Sequence, residues 1–413
     1  MTRYDHVLGI VQAGGKGSRL DVLTRERVKP ALPFAGEYQL IDFALTCLAH
    51  SRIPDVWVDV SYLASTLQQH LAGGRPWDLD RTYGGFRLLA PEEGALPIES
   101  GFAAGNADSL LKIWRQIDSQ DPELVVVMSA DHIFRLDLRD VIDQHRERGA
   151  ECTVVTAEVS REEAANNAVL QVRDDGLIEH LDYKPDVAQS GTVSTEITVY
   201  DAIALREALA TLAARTQRAV QDEEPPQDSG LGDFGEHLLP WFVARGRTLA
   251  YPIRSYWRDV GRPESYLGAH RDLLAGRIDV FDDPRRPVRT RREQRLPARF
   301  EDGCTVMDSL VSQGAIIRGT VRRSVLGPGV VVGTGAVVED CVVLADTVIE
   351  AGAALHTAIV DERCAIGRDA RVGAAPAGTR PRPGDLCLIG RETRVGAGAT
   401  LPPGSRLEPG TAA

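Results

Sequence analysis

At 413 residues the chain exceeds what one hydrophobic core organises, so two or more domains are expected. Hydrophobic residues make up 43% and charged residues 26%, as in globular proteins, and no apolar run approaches the roughly 18 residues that a membrane-spanning helix needs. The formal net charge of -12 argues against general nucleic-acid binding, which requires a basic face to neutralise phosphates.

Met1 to Asp5 lacks the basic-then-apolar pattern of a signal peptide, and a cytoplasmic location is expected. Cys47, Cys152, Cys304, Cys341, Cys364 and Cys387 lie far apart and form no C-x-x-C pair, which points to reduced thiols rather than a disulfide scaffold or a zinc ribbon.

Through about residue 270, short β-branched runs alternate with longer amphipathic stretches, the pattern of an α/β sheet. The runs predict strands at Val7–Val11, Val56–Val60, Leu124–Ser129, Cys152–Glu158 and Val193–Tyr200, and helices at Ala107–Ile117, Leu138–Arg148 and Ala202–Ala213. Gln221 to Gly232 reads as an exposed loop.

The first strand runs into Gln12-Ala13-Gly14-Gly15-Lys16-Gly17-Ser18-Arg19-Leu20, with Arg27-Val28-Lys29-Pro30 just beyond. A glycine-rich turn leaving a buried strand exposes backbone N–H groups, and Arg19 and Lys29 add positive charge where a polyphosphate would lie. The spacing fits neither G-x-x-x-x-G-K-[ST] nor G-x-G-x-x-G, so neither familiar phosphate motif applies. The strand Leu124–Ser129 leads to Asp131, at the end of a sheet where ligands collect, and magnesium prefers one or two carboxylates plus phosphate oxygens. His132 is read as structural, pointing away from Asp131 if the strand persists. Tyr256-Trp257-Arg258-Asp259-Val260-Gly261 sets a second acid between aromatic and glycine residues, and in Asp182-Tyr183-Lys184-Pro185 the Lys184 ammonium suits a monophosphate.

Seven arginines lie between Arg285 and Arg299. They are read as a solvated linker pairing with nearby carboxylates, or as a polyanion site. Beyond Arg299 a six-residue period appears: Val330, Ala336, Val342, Val348, Ala354, Val360, Ile366 and Val372, resuming at Ile389, Val395, Leu401 and Leu407. Helical periodicity cannot generate that spacing, whereas a left-handed parallel β-helix can, with one small aliphatic turned inward per flat side. Ala374–Asp385 reads as a loop leaving and re-entering this solenoid, and such exposed faces suggest a homo-oligomer.

The order of these elements resembles the glucose-1-phosphate adenylyltransferase family of sugar-phosphate nucleotidyltransferases. The likeness rests on G-G-x-G-x-R-L, Arg27-Val28-Lys29-Pro30, Leu40 to Leu45, Gly105-Asn106-Ala107-Asp108, Ala130 to Phe134, Lys184-Pro185, Asp233-Phe234-Gly235, Tyr256 to Gly261 and the solenoid. It implies a Rossmann-like mixed, mostly parallel sheet domain over 1–275, an Arg-rich linker over 276–300 and a left-handed β-helix over 301–413.

It further implies Mg²⁺-dependent transfer from ATP to a sugar 1-phosphate, giving ADP-sugar and pyrophosphate, in glycogen or α-glucan synthesis. Arg19, Lys29 and Asp131 would be catalytic, with the metal on Asp131 and Asp259. Gln12, Gly14, Gly15, Gly17, Ser18, Gly105, Asn106 and Asp108 would hold the nucleotide. Lys184, Ser194, Glu196, Asp233, Phe234 and Trp257 would hold the sugar phosphate. A homotetramer and an anionic effector, bound by the linker arginines with Arg322 and Arg323, are implied as well.

The chain departs from the family pattern near the substrates. Tyr183 replaces a glutamate, Thr195-Glu196 replaces Met-Gly, Thr198 replaces a tyrosine and Gln12 replaces a leucine. Two readings follow: an active enzyme with altered sugar or base preference, or a regulatory or catalytically weak paralogue. A structural module with a degenerate nucleotide pocket is a third.

Overall fold

The computed structural model describes residues 4, 6–14, 17–60, 63–82, 84–91, 103, 105–219, 231–374 and 383–413. The chain forms two compact units, one from residues 1–15 and 43–257 and the other from residues 16–42 and 258–413.

The first unit is built on a nine-stranded mixed sheet among the described residues. Val7–Gln12 lies centrally, parallel to both Asp55–Asp59 and Leu124–Ser129, and Gly85–Leu89 extends the parallel side. Both faces of such a strand are covered, which is why Val7, Leu8, Ile10 and Val11 are all buried and the run is continuously apolar. Thr192–Asp201 joins Leu124–Ser129 antiparallel and turns the sheet mixed, also pairing with Cys152–Glu158 and, at one position, Ala168–Val172.

The predicted strands are all present, within one or two residues at each end. The helix expected over Ala107–Ile117 is broken into Asn106–Lys112 and Trp114–Asp118, because Ile113 (φ -93°, ψ 3°) leaves helical space. Its apolar stripe still faces the core, through Ala107, Leu110, Ile113 and Ile117. Leu138–Glu147 is capped by Asp137, whose carboxylate accepts from Arg139 N–H, and Ala202–Ala219 is longer than expected. Most of the Gln221–Gly232 loop, residues 221–230, lies outside the described residues.

The second unit is dominated by three all-parallel six-stranded sheets, the left-handed parallel β-helix expected from the hexapeptide period. The strict period of six is corrected in one respect. Val332 pairs with Ile349 and Ile349 with Ile366, so one coil runs from 332 to 349, seventeen positions rather than eighteen. Inward residues therefore step by six, five and six along Val332, Val338, Val343 and Ile349. Val348, which the strict period turns inward, is exposed, and Ile349 fills the core in its place. All six cysteines are free thiols. Cys341, Cys364 and Cys387 sit in this dry interior, where burial pushes the Cys364 thiol up to about 12. Of the predicted loop Ala374–Asp385, residues 375–382 lie outside the described residues, and Pro383–Asp385 forms a short 3-10 turn.

The segment 16–42 is stitched into this second unit. The Arg27 guanidinium reaches Asp361 Oδ1 at 2.7 Å and Glu362 at 3.4 Å, with both Arg27 and Asp361 almost fully buried. The Ala35 N–H donates to His270 Nε2 (3.2 Å), and the other ring nitrogen of His270 meets Tyr266 O at 2.9 Å. Burial holds His270 neutral, lowering its pKa to about 4.

Candidate active site

In the first unit Gln12, Asp59 and Ser129 end adjacent parallel strands in one register row, at the carboxyl edge where open sheets collect ligands. Gln12, the polar residue in place of a leucine, donates from Nε2 to Asn106 O at 2.7 Å. Asn106 Oδ1 in turn accepts from Phe234 N–H at 2.6 Å, and Ala107 N–H bonds Gly232 O at 3.1 Å. Gly105 is extended (φ -169°), so its constraint is contact and not conformation: a Cβ there would lie 2.3 Å from the Gly232 carbonyl carbon and oxygen. Residues 105–108 and 232–234 are thereby locked together, with Asp108 fully buried.

Asp59 escaped the sequence reading. Its carboxylate is buried, accepts from Ser109 Oγ, and is pushed up by burial more than that hydrogen bond pulls it back. The available signal was the one used for Asp131, an acid ending an apolar strand.

Further along the same unit, Tyr183, Lys184, Ser194, Glu196, Asp233 and Phe234 line one pocket with Asn106. The Tyr183 hydroxyl donates to Asp233 Oδ2 (2.8 Å) and accepts from Lys184 Nζ, which also stands 3.7 Å from Asp233. Burial and then the Asp233 carboxylate drive the Tyr183 hydroxyl pKa well up, so it stays a donor. Ser194 is buried, and its Oγ accepts from Glu196 N–H at 3.2 Å.

Between Ser194 and Thr198 the pairing with Cys152–Glu158 shifts register, and within this bulge Glu196 has φ +55°. That left-handed conformation is the one glycine enters freely, which accounts for the glycine in the resembled pattern. Here glutamate adopts it and stands exposed.

Asp131 is half-buried and accepts from Ser129 Oγ. The expectation that His132 points away from it is overturned: His132 Nε2 lies 3.4 Å from Asp131 Oδ1. The alternation assumed one continuous strand, but the strand ends at Ser129 and another starts at His132. His132 Nδ1 meets Thr195 O at 3.0 Å, in the same bulge, and its ring packs edge-on against Trp257 with centroids 5.3 Å apart. Within the first unit Trp257 thus supports His132.

The second unit holds the rest of the expected residues. Gly17 has φ +63°, and a Cβ would lie 2.9 Å from Lys29 Cβ, so conformation and packing both require glycine. Thr24 Oγ1 ties the turn by donating to Gly17 O at 2.8 Å. Lys29 is buried with Nζ 2.9 Å from Asp259 Oδ1, while Ser18 and Arg19 are exposed. Gly14 is half-buried in the first unit, and Gly15 lies outside the described residues.

Residues 8–276 match the family described as Nucleotidyl transferase, and residues 296–382 match the GlmU-like C-terminal hexapeptide family. The chain is a nucleotidyl transferase. Proteins named glucose-1-phosphate adenylyltransferase resemble it over most of its length. The one from Thermomicrobium roseum is 36% identical over 367 residues, 84% of this chain and 82% of that protein. The one from Acetivibrio thermocellus is 31% identical over 86% of this chain and 80% of its own length. The one from Clostridium perfringens strain SM101 is 34% identical over 83% and 86%.

In this nucleotidyl transferase several linker arginines have carboxylate partners within the second unit. Arg292 meets Glu37 (3.4 Å), Arg295 meets Glu293 (2.9 Å) and Asp346, and Arg299 pairs with Glu301. Arg323, from the solenoid, pairs with Glu339 at 2.8 Å. Among the described residues no helix of this nucleotidyl transferase is long and apolar enough to cross a membrane.

Proposed function

We propose that the enzyme transfers the adenylyl group of ATP to the phosphate of glucose 1-phosphate or a close analogue, forming an ADP-sugar and releasing pyrophosphate. One phosphate oxygen of the sugar 1-phosphate bonds to the α-phosphorus of ATP, and the bond from that phosphorus to the bridging oxygen of pyrophosphate breaks. The nucleophile is already anionic, so the chain needs to align and neutralise rather than abstract a proton.

The observation that carries this reading is a run of contacts inside the first unit. Gln12 bonds Asn106, Asn106 bonds the Phe234 backbone, and the neighbouring Asp233 bonds Tyr183 and approaches Lys184. The segment assigned to the base and the residues assigned to the sugar phosphate thus share one polar framework. Lys184 supplies the point charge for the monophosphate, and Asp233 and Glu196 face sugar hydroxyls. Arg19 and Lys29 are the cations assigned to the triphosphate.

A divalent ion, magnesium by resemblance, is assigned to Asp131 in the first unit; Asp259, the other acid the resemblance implies, pairs with Lys29 in the second. Carboxylate oxygens suit that ion, and it would neutralise phosphate charge when bound. The boundaries 1–275, 276–300 and 301–413, the homotetramer, the anionic effector, the cytoplasmic location and the role in glycogen synthesis belong to the same proposal and rest on resemblance.

Lys184 is engaged by Tyr183 and Asp233, and a second reading is a catalytically weak regulatory paralogue in which a sugar phosphate does not displace those partners. Pyrophosphate release from ATP, Mg²⁺ and a panel of sugar 1-phosphates separates the two. Turnover with one or more sugars supports transfer; no turnover with any pair sinks the transfer reading.

A further inference from the structure

Gln12 and Asp59 are register partners at the ends of the neighbouring parallel strands Val7–Gln12 and Asp55–Asp59. Their side chains reach the same helix, Asn106–Lys112, at two points: Gln12 Nε2 donates to Asn106 O at 2.7 Å, and the Asp59 carboxylate accepts from Ser109 Oγ. Positions 106 and 109 stand three apart, on one helical face. Two adjacent strand ends thus clamp the first turn of the helix that carries most of segment 105–108. That turn also holds the sugar-side segment, since Asn106 Oδ1 accepts from Phe234 N–H and Ala107 N–H bonds Gly232 O. Stability does not account for the Asp59 contact. Ala107, Leu110 and Ile113 already anchor the helix in the core cluster that includes Trp57, and burial works against the Asp59 charge. Two apolar groups of similar shape at 59 and 109 would be nearly neutral in stability, whereas a directional bond fixes where the helix stands along the sheet edge.

We propose that Asp59 is a positioning residue for the nucleotide: through Ser109 it sets the place of segment 105–108 at the carboxyl edge of the sheet, and with it the affinity for ATP. The inference rests on the transfer reading, which assigns that segment to the base. Asp59 acts through Ser109 and takes no part in bond making or breaking. The sugar side has its own tie, the bond from the Tyr183 hydroxyl to Asp233, so loosening the clamp is felt by ATP and not by the sugar 1-phosphate.

The test is calorimetric titration of the full-length protein with ATP and Mg²⁺, no sugar phosphate present, joined to kcat and both KM values from pyrophosphate release. Asp59→Ala is expected to weaken ATP binding and raise KM for ATP about tenfold, the worth of one hydrogen bond to a charged group. KM for the sugar 1-phosphate and kcat are expected to stay within about twofold, because no bond to the reacting groups is lost. Asp59→Asn keeps an acceptor for Ser109 Oγ and is expected to restore ATP affinity to within about threefold of wild type. If Asp59→Ala fails to fold, Asp59→Leu with Ser109→Ala carries the decision: it strands no polar group, and it is expected to lose ATP affinity equally at a nearly unchanged melting temperature. ATP affinity unchanged in the variants, an Asp59→Asn protein as weak as Asp59→Ala, or kcat and both KM values moving together overturns the proposal. Turnover by variants with unaltered ATP affinity overturns this inference alone and leaves the transfer reading standing. ATP binding weakened by Asp59→Ala in a chain that turns over no sugar supports the positioning role and removes the transfer reading. A wild type that binds no ATP overturns both.

Discussion

Replacing Arg27 by methionine strands a buried acid, and the size of the loss can be worked from its neighbours. Arg27 and Asp361 side chains are 6% and 2% exposed, so neither charge is solvated once its partner is gone. Burial pushes the Asp361 carboxyl up even beside the guanidinium, which marks how costly its charge is there. Breaking one side of such a pair typically destabilises by about 3–5 kcal/mol. Two contacts place this case at the lower end. Asp361 Oδ1 keeps the Glu362 N–H at 2.7 Å, and Glu362 keeps Arg391 at 3.1 Å. A loss of about 3 kcal/mol shifts the melting temperature of a unit of roughly 150–250 residues by about 6–12 °C. Differential scanning calorimetry of the full chain reads this shift. Asp361→Leu in the Arg27→Met background removes the stranded charge and is expected to restore most of the loss. A shift under about 2 °C for Arg27→Met, or a double variant no better than the single, refutes the argument that this pair anchors segment 16–42.

Gly17→Ala meets both a left-handed φ and the Lys29 Cβ at 2.9 Å, and is expected to destabilise by about 1–3 kcal/mol in urea unfolding while raising KM for ATP. Tyr183→Glu with Glu196→Gly is expected to raise kcat/KM for glucose 1-phosphate in the pyrophosphate assay; an unchanged preference removes those two positions from sugar selection. His145 has its pKa lowered to about 4, mainly by burial, with Asp201 opposing and Arg146 adding. A depressed folded pKa gives stability that is full above the unfolded value of 6.5 and falls as pH drops through the folded one. Between pH 7 and 5 that loss is about 2 kcal/mol, so urea midpoints of the wild type are expected to fall more steeply over this range than those of His145→Gln.

Much of this architecture was legible because it depends on local pattern. Continuous Val and Ile runs such as Val125 to Val127 marked strands buried on both faces, and the aliphatic spacing after Arg299 marked a solenoid. What escaped depended on three-dimensional irregularity. The coil of seventeen shows only when strands are stacked: its steps are six, five and six, so the inward positions run Val332, Val338, Val343 and Ile349 and leave Val348 outside. His132 was misplaced because side-chain alternation assumes an unbroken strand, and the break at Ala130-Asp131 turns the imidazole back toward the acid. Asp59 and its Ser109 partner are 50 positions apart, a pairing no local spacing signals. The merging of segment 16–42 with residues 258–413 likewise depends on long-range pairs such as Arg27 with Asp361.

The engagement of Lys184 bears on which reading of the site holds. Its ammonium is already satisfied by the Tyr183 hydroxyl and stands 3.7 Å from Asp233, so a sugar phosphate has to displace or share those partners. Lys184 and Asp233 side chains are 44% and 42% exposed, and a solvated pair of that kind contributes about 0–1 kcal/mol. A phosphate dianion offers a charge-assisted contact worth about 1.5–3 kcal/mol, enough to outcompete it. Tyr183 therefore poises Lys184 rather than blocking it. Tyr183→Phe removes both the Asp233 bond and the acceptor for Lys184, and is expected to change KM for the sugar 1-phosphate by less than about tenfold while leaving KM for ATP unchanged. A rise in sugar-phosphate affinity of more than about 100-fold in Tyr183→Phe would mean that the hydroxyl holds the site shut, and the paralogue reading would then prevail.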